Sequence, residues 1–520
     1  MIAIFNSTLR GSGVAQSHAS RNRLILIAIL CWTAIPSVFG IMVLINHRSH
    51  GTTNPSDSNG HSQLAGNTAS QTAMRSSSCS TSNCHGSFTA NSDAGEIRGD
   101  EYFVWLKDPH EKAYRTLFDP RSTAIIERLA AADADRHPLE CPSGRVDRHR
   151  KSCLPCHKTN NQSMSSNQTF SHRELQVAEG VSCGSCHRGD QEWLHGHYRS
   201  KWKLRSAPEG TSATTEVQRC VSCHIGGNGA DVNHDLIAAG HPPLRFEYVW
   251  FKSRLPKHWR PDRRSARLIA KGQGTDHQAC DATPNATQTW LIGQLVSAIA
   301  ALEVLERRAE TATHATTWPE LAEFNCSACH HDLKGNSWRQ ARGLLDLDAA
   351  RTRRSRLTIP WGNWNLELID ELAHHFDSPE SREFNAAFRH LREEFEAGPV
   401  PANAEIAKKS RSARIKLELW AKQAPMASGQ KAAQILQAIG RSQSEGTIAS
   451  WDRTASLVLG FAAPYRARNK FPEALRDAMN GVRIPEAFES PRDFGSKPNS
   501  DSANYLKELL GKLADLVSEH

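Results

Sequence analysis

Four segments of the 520-residue chain repeat one spacing: Cys153-Leu-Pro-Cys156-His157, Cys183-Gly-Ser-Cys186-His187, Cys220-Val-Ser-Cys223-His224 and Cys326-Ser-Ala-Cys329-His330. C-x-x-C-H is the attachment pattern for c-type haem. Such a haem forms two thioether bonds through vinyl groups on one edge of its ring, so two cysteines must reach that edge together. The histidine that follows turns under the ring and offers an imidazole nitrogen to the iron. A C-x-x-C pair is also half of a tetrahedral zinc site, but zinc gives no reason for a histidine directly after the second cysteine each time. A fifth segment, Cys79-Ser-Thr-Ser-Asn-Cys84-His85, has four residues between its cysteines. It reads as a fifth attachment site. The competing reading is a pair of free or disulfide-linked thiols in a Ser-rich loop.

Ten of the thirteen cysteines are used in this way. Cys31 lies in an apolar run, and Cys141 and Cys280 are left as candidates for a disulfide on an oxidising side of a membrane. From Cys79 to Leu333 there are about fifty residues per attachment site. That is too little protein to wrap each haem in its own pocket, so the haems must form much of the core and lie close together. The expected class is mainly α: a multihaem cytochrome c domain over 79–335, an N-terminal transmembrane helix, and a helical C-terminal domain over 336–520. Asp108-Pro109 and Asp119-Pro120 each put an acidic N-cap before a proline at the first helical position. Leu291, Leu295, Ile299, Leu302 and Leu305 mark one face of a long helix over Ala286–Thr311. Past Lys334, Leu506, Leu509, Leu510, Leu513 and Val517 form one apolar stripe, and Ala433, Leu436 and Ile439 another. Breaks at 398–402 and 484–499 read as loops.

The N-terminus carries its own signal. Residues 24–45 are free of charge and long enough to span a bilayer. Arg10, Arg21 and Arg23 precede them without an acidic residue, which puts residues 1–23 in the cytoplasm and the rest on the periplasmic side of the inner membrane. The competing reading is a cleaved signal peptide. Residues 46–78 are rich in Ser, Thr, Asn and Gly and read as a disordered tether. The net charge of +8 is too mild for a dedicated nucleic-acid binder. Part of it serves as counter-charge to haem propionates, because each oxidised haem with two ionised propionates adds about −1.

The sixth ligands are less legible. Methionine is scarce, with six in the chain, so His–His ligation is the default. Met/His ligation raises the potential, so low potentials are expected here. Eleven histidines outside the motifs fall between residues 86 and 325. His110 stands out because Asp108 and Pro109 fix its direction. His197, or His195, follows His187 in a short loop. His234 and His241 are seven apart and would share one side of a helix. His172 completes the set, and His374, His375 and His390 are remote alternatives from the C-terminal domain.

The order Cys79-x4-Cys84-His85-Gly86, then Trp105-Leu-Lys-Asp-Pro-His110, then Gly180-Val181-Ser-Cys183-Gly-Ser-Cys186-His187 resembles multihaem cytochromes of the cytochrome c-554 type. The resemblance covers about half the chain. It implies bis-His haems stacked in pairs, with His110 on the haem of His187 and His197 on the haem of His85. The chain departs from that pattern in having five motifs, a longer first motif and a C-terminal domain. Three functions compete. The first is a membrane-anchored carrier with five haems c, passing electrons between the quinol pool or a periplasmic donor and another redox protein. The second is a haem enzyme acting on a small nitrogen species at one open iron site, although no cysteine here is followed by the lysine of pentahaem nitrite reductases. The third is a structural zinc protein. The balance favours the carrier over the enzyme.

Overall fold

Asp108 and Pro109 start a helix where the sequence places one: Asp108 caps it by accepting the His110 backbone N–H at 2.9 Å. The computed structural model describes residues 76–91, 98–159, 179–187, 212–227, 230–258, 285–313, 318–324, 326, 361–398, 400–446, 451–468, 471–482 and 500–517. The chain divides into two compact units, Met1–Asn67 and Thr68–His520, and all these residues belong to the second. The expected cytoplasmic tail, the membrane span and the tether up to residue 75 lie outside the described residues.

The first elements are short. They are α1 (Glu101–Trp105), α2 (Pro109–Thr116), α3 (Pro120–Ala132), α4 (Pro142–Ser152), α5 (Leu154–His157) and α6 (Cys183–Cys186). Asp119 stands at the N-cap of α3 but makes no side-chain capping bond; the proline alone marks that start. Next come α7 (Ala213–His224), α8 (His234–Ala238) and α9 (Tyr248–Arg254), capped by Ser212, Asn233 and Glu247. The long α10 (Ala286–Glu310) begins at an Asn285 cap. The C-terminal region contributes α11 (Ile369–Phe376), α12 (Pro379–Glu396), α13 (Asn403–Ala421), α14 (Gly429–Glu445), α15 (Trp451–Ala462), α16 (Glu473–Gly481) and α17 (Ser500–Val517). Among the described residues there is no β-strand, only isolated bridges at Gly227–Ala230 and Phe324–Trp361.

Helix α10 differs from its expected one-faced form. Trp290, Leu291, Ile292, Leu295, Val296, Ala298, Leu302 and Leu305 are all buried, while Ile299 of the expected face is only partly so. A helix apolar on nearly every side belongs in a protein interior or a membrane. By length and composition α10 would cross a bilayer, but most of it is covered by protein. Helices α7 and α9 pack on it, as do α11, α13, α14 and α15. Gly460 of α15 admits the Trp290 ring, since a Cβ there would lie 2.8 Å from an indole carbon.

One apolar core therefore runs from Val217 to Ala514, across residue 335. Two hydrogen bonds tie its parts together: Ser410 Oγ donates to Leu302 O at 2.8 Å, and Trp364 Nε1 donates to Phe246 O at 2.8 Å. The stripe on α17 is buried at Leu506, Leu509, Leu510 and Leu513. On α14 the buried positions are Ala432, Ile435, Leu436 and Ile439; Ala433 sits at the margin. The break near 400 separates α12 from α13, and residues 484–499 lie outside the described set.

Candidate functional site

The attachment segments form a contiguous row. Helix α7, which ends in Cys220, Cys223 and His224, touches both α5 and α6. Cys156 Sγ lies 3.9 Å from Cys223 O, and Cys223 Sγ lies 3.8 Å from Pro155 O. The Cys79 thiol meets the Cys183 thiol, a contact that raises the first and lowers the second. Burial, and then the charge of Cys186, push the Cys220 thiol up to about 12. Segment one thus meets three, three lies beside four, and four meets two. Glu179 fixes the first junction by accepting the backbone N–H groups of Ser76 at 2.6 Å and Ser77 at 2.9 Å. Ser76 Oγ in turn accepts from Cys183 N at 3.1 Å.

Residues from distant parts of the sequence interlock beside this row. Trp105 Nε1 donates to Val181 O at 3.1 Å, and Val181 N donates to His110 O at 2.9 Å. Gly180 N donates to Glu111 O at 3.1 Å. A Cβ on Gly180 would lie 2.3 Å from His110 O, so only glycine lets residues 180–181 lie against the start of α2.

The histidines pair across the row. The rings of His110 and His224 have centroids 6.0 Å apart, as do those of His187 and His258. Two imidazoles bonded to one metal through Nε2, with metal–nitrogen bonds of about 2 Å, would stand roughly this far apart. His110 Nδ1 donates to Asp108 Oδ1 at 2.8 Å, which leaves Nε2 as the ligating atom. Burial works to raise the Asp108 carboxyl, but the His110 ring and backbone hydrogen bonds hold it below the usual range. Burial, and then His110, push His224 down to about 4, so its ring is neutral and fit to ligate at pH 7. Phe246 stacks on His224 with centroids 4.9 Å apart and steadies it.

His241 lies within electrostatic reach of His157. Burial first, with His157 as a further contributor, lowers His241. His157 Nδ1 donates to Ala113 O at 2.9 Å and His241 Nδ1 to Pro242 O at 2.8 Å, so both rings keep Nε2 free. His85 Nδ1 is held by Glu101 Oε2 at 3.1 Å.

A cavity of about 360 Å³ adjoins the row. It falls within the roughly 300–1,000 Å³ usual for cofactor sites. Cys326 and His234 both line it, together with Ile225, Ala301 and Val304 and with Trp364 and Asp452 of the C-terminal region. The Arg245 guanidinium reaches Cys326 Sγ at 3.6 Å.

The resemblance implies His110 on the haem of His187; its ring stands beside that of segment four, His224. His187 faces His258, which sequence reasoning counted but did not select; its signal was only the Pro256-Lys257-His258 stop after α9. His234 and His241 do not share a helix side, because α8 ends at Ala238 and Gly240 has φ +118°. Gly240 N donates to Ile237 O and His241 N to Leu236 O, a Schellman closure that turns His241 away. It lies toward His157, while His234 lines the cavity. His374 is exposed, and His375 and His390 are tied to Glu371 and Glu393 on their own helices. Cys141 is exposed and unbridged. Cys280, Cys329, His330, His172, His195 and His197 lie outside the described residues.

Residues 78–188 match the family model described as cytochrome c554 and c-prime. No curated protein and no solved structure matches the chain. The family match spans three attachment segments, the Trp105–Val181–His110 interlock and His110 itself. Over residues 78–188 the chain is therefore similar to c-type cytochromes of the cytochrome c554 type, a likeness that points to covalently attached haem c and a redox role.

Proposed function

We propose that the chain is a membrane-anchored pentahaem electron carrier, with its haem domain on the periplasmic side. It would pass electrons between the quinol pool or a periplasmic donor and another redox protein. The observation that carries this reading is the two close imidazole pairs, His224 with His110 and His187 with His258, with His241 in electrostatic reach of His157. Each pair would close both axial positions of one haem, and His234 would serve the haem attached through Cys326 and Cys329. For the haem of His85 the remaining candidates are His172 and His197. When bound, the haems supply one-electron ferric/ferrous chemistry. The protein's part is to hold the rings aimed, by Nδ1 bonds to Asp108, Ala113, Pro242 and Glu101, and to keep neighbouring attachment edges in contact. Cys79 against Cys183 and Cys156 against Cys223 bring those edges together.

Opposed imidazoles favour a carrier over an enzyme, which needs an open iron site for a small nitrogen species. Extracytoplasmic placement agrees with where c-type cytochromes are matured, and anchoring rests on residues 24–45.

The test is a haem count with spin state. A pyridine haemochrome near five per chain and low-spin resonances for most irons support the reading. A count of four or fewer, or a dominant high-spin signal that shifts with nitric oxide, overturns it in favour of fewer sites or of the enzyme. Recovery of the protein in the soluble periplasmic fraction overturns the anchor.

A further inference from the structure

Segment two sits inside a ring of positive charge. Arg150 and Lys151 precede Cys153 in the last turn of α4, and Lys158 follows His157 directly. Helix α2 packs on α5, and its Ala113 O accepts from His157 Nδ1 at 2.9 Å, which brings Lys112 and Arg115 alongside. Two acids are tied to this ring. Glu111 is buried and held by Arg115, and Asp147 lies 3.5 Å from Arg150. Asp133 and Glu140, beside α4, are both claimed by a further cation, Arg148. Five cations therefore meet two carboxylates around one attachment site. The stretch 160–178 that follows holds one Arg and one Glu, so its sequence adds no net charge.

Two of the cations are fixed in place by aromatic rings. Lys158 Nζ stands over the Tyr114 ring at 5.0 Å, and the Arg150 guanidinium over the Phe118 ring at 5.2 Å. Tyr114 and Phe118 are four residues apart and meet edge to face, with centroids 5.4 Å apart. A ring face attracts a cation without cancelling its charge. Lys112, Arg115 and Lys151 are exposed, and so is Pro155 between the two cysteines. A charged rim about a small apolar centre is the anatomy of a transient protein interface. None of these residues offers a large exposed apolar side chain to enter a bilayer.

We propose that this ring is the docking surface for an acidic redox protein, so that segment two is a point where electrons enter or leave the chain. The proposal rests on the carrier reading above and adds the place and the charge of the partner. A carboxylate-rich face is steered to the ring before contact. It then sits against the site at which a haem would be attached through Cys153 and Cys156. The transfer is outer-sphere: the donor loses one electron, one ferric iron gains it, and no bond is made or broken.

The experiment uses the full-length, haem-loaded protein in nanodiscs of neutral phosphatidylcholine, with a plant-type two-iron ferredoxin as an acidic one-electron donor. Calorimetry measures binding of the oxidised ferredoxin, and stopped-flow absorbance measures electron transfer from the reduced one. Both should weaken as salt rises from about 0.01 M to about 0.1 M, where the screening length falls from about 30 Å to about 10 Å. Lys112→Glu with Lys151→Glu should weaken binding, cut the low-salt rate roughly tenfold or more, and flatten the salt dependence. Lys408→Glu with Lys422→Glu, exposed on and just after α13, should change neither. A ring variant with a full haem count that binds and reacts as the wild type overturns the proposal, and so does a loss matched by the α13 variant. An effect seen only in discs of anionic phosphatidylglycerol assigns the ring to lipid and overturns it too. Reduction by dithionite without any binding of ferredoxin overturns the docking surface alone. A protein with no reducible Soret band overturns the carrier reading, and the two failures are distinct.

Discussion

His110 and His224 stand with ring centroids 6.0 Å apart and planes at 88°. One ring comes from the start of α2 and the other from the end of α7, and Asp108 fixes the first by its Nδ1. A carboxylate on the far nitrogen makes an imidazole a stronger donor. His110→Met should therefore raise the potential of one haem and leave the rest unchanged. Asp108→Asn should move the same haem in the same direction, by less. A redox titration resolved by haem checks both, and a uniform shift of all haems would refute the assignment.

Gly180 carries the second expectation. Gly180→Ala would set a Cβ against the backbone oxygens of His110 and Glu111, at 2.3 and 2.7 Å, and backbone cannot swing aside. Overpacking of this kind costs about 1–3 kcal/mol. It should also loosen His110, so a lowered thermal midpoint should come with a new high-spin signal from one iron.

Glu247 gives a pH dependence. It caps α9 through the N–H groups of Val249 and Trp250, and burial pushes its carboxyl up from 4.5 to about 7. Between those values the folded chain holds a proton that the unfolded chain has lost. Its contribution to stability is thus full below about pH 4.5, falls as pH rises toward 7, and stays lost above; the loss is roughly 3 kcal/mol. Glu247→Gln should flatten this slope. Urea unfolding at about pH 5 and about pH 8 measures it.

Trp364 tests the link between the C-terminal region and the row of histidines. Trp364→Phe removes the donor to Phe246 O and leaves a buried carbonyl unpaired, at a cost of about 1–3 kcal/mol. Phe246 stacks on His224, so the Soret band or potential of that haem should shift as well. A stability loss without any spectral change would mean that the link is mechanical only.

The sequence was most legible where chemistry is local. The attachment segments, the Asp108 cap and the Asn285 start of α10 depend on neighbours within a few residues. The second histidine of each pair depends on where distant helices meet, which no spacing encodes. His258 shows this: nothing near it in sequence points to His187. His234 and His241 show a local signal outweighing a period, since one left-handed glycine ended the helix between them. The all-round burial of α10 was hidden because the helices that cover it, α11 and α13 to α15, follow it in the chain by about sixty residues or more.

The cavity at Cys326 has walls made at different times. A chain emerging from its N-terminus presents Ile225, His234 and Arg245 first, then α10 and Cys326, and only much later Trp364 and Asp452. A haem attached through Cys326, as proposed, would enter an open half-pocket that the C-terminal helices close afterwards. Its maturation would then have a built-in order, haem before closure, and a chain that folds its last 150 or so residues too early would seal the pocket empty.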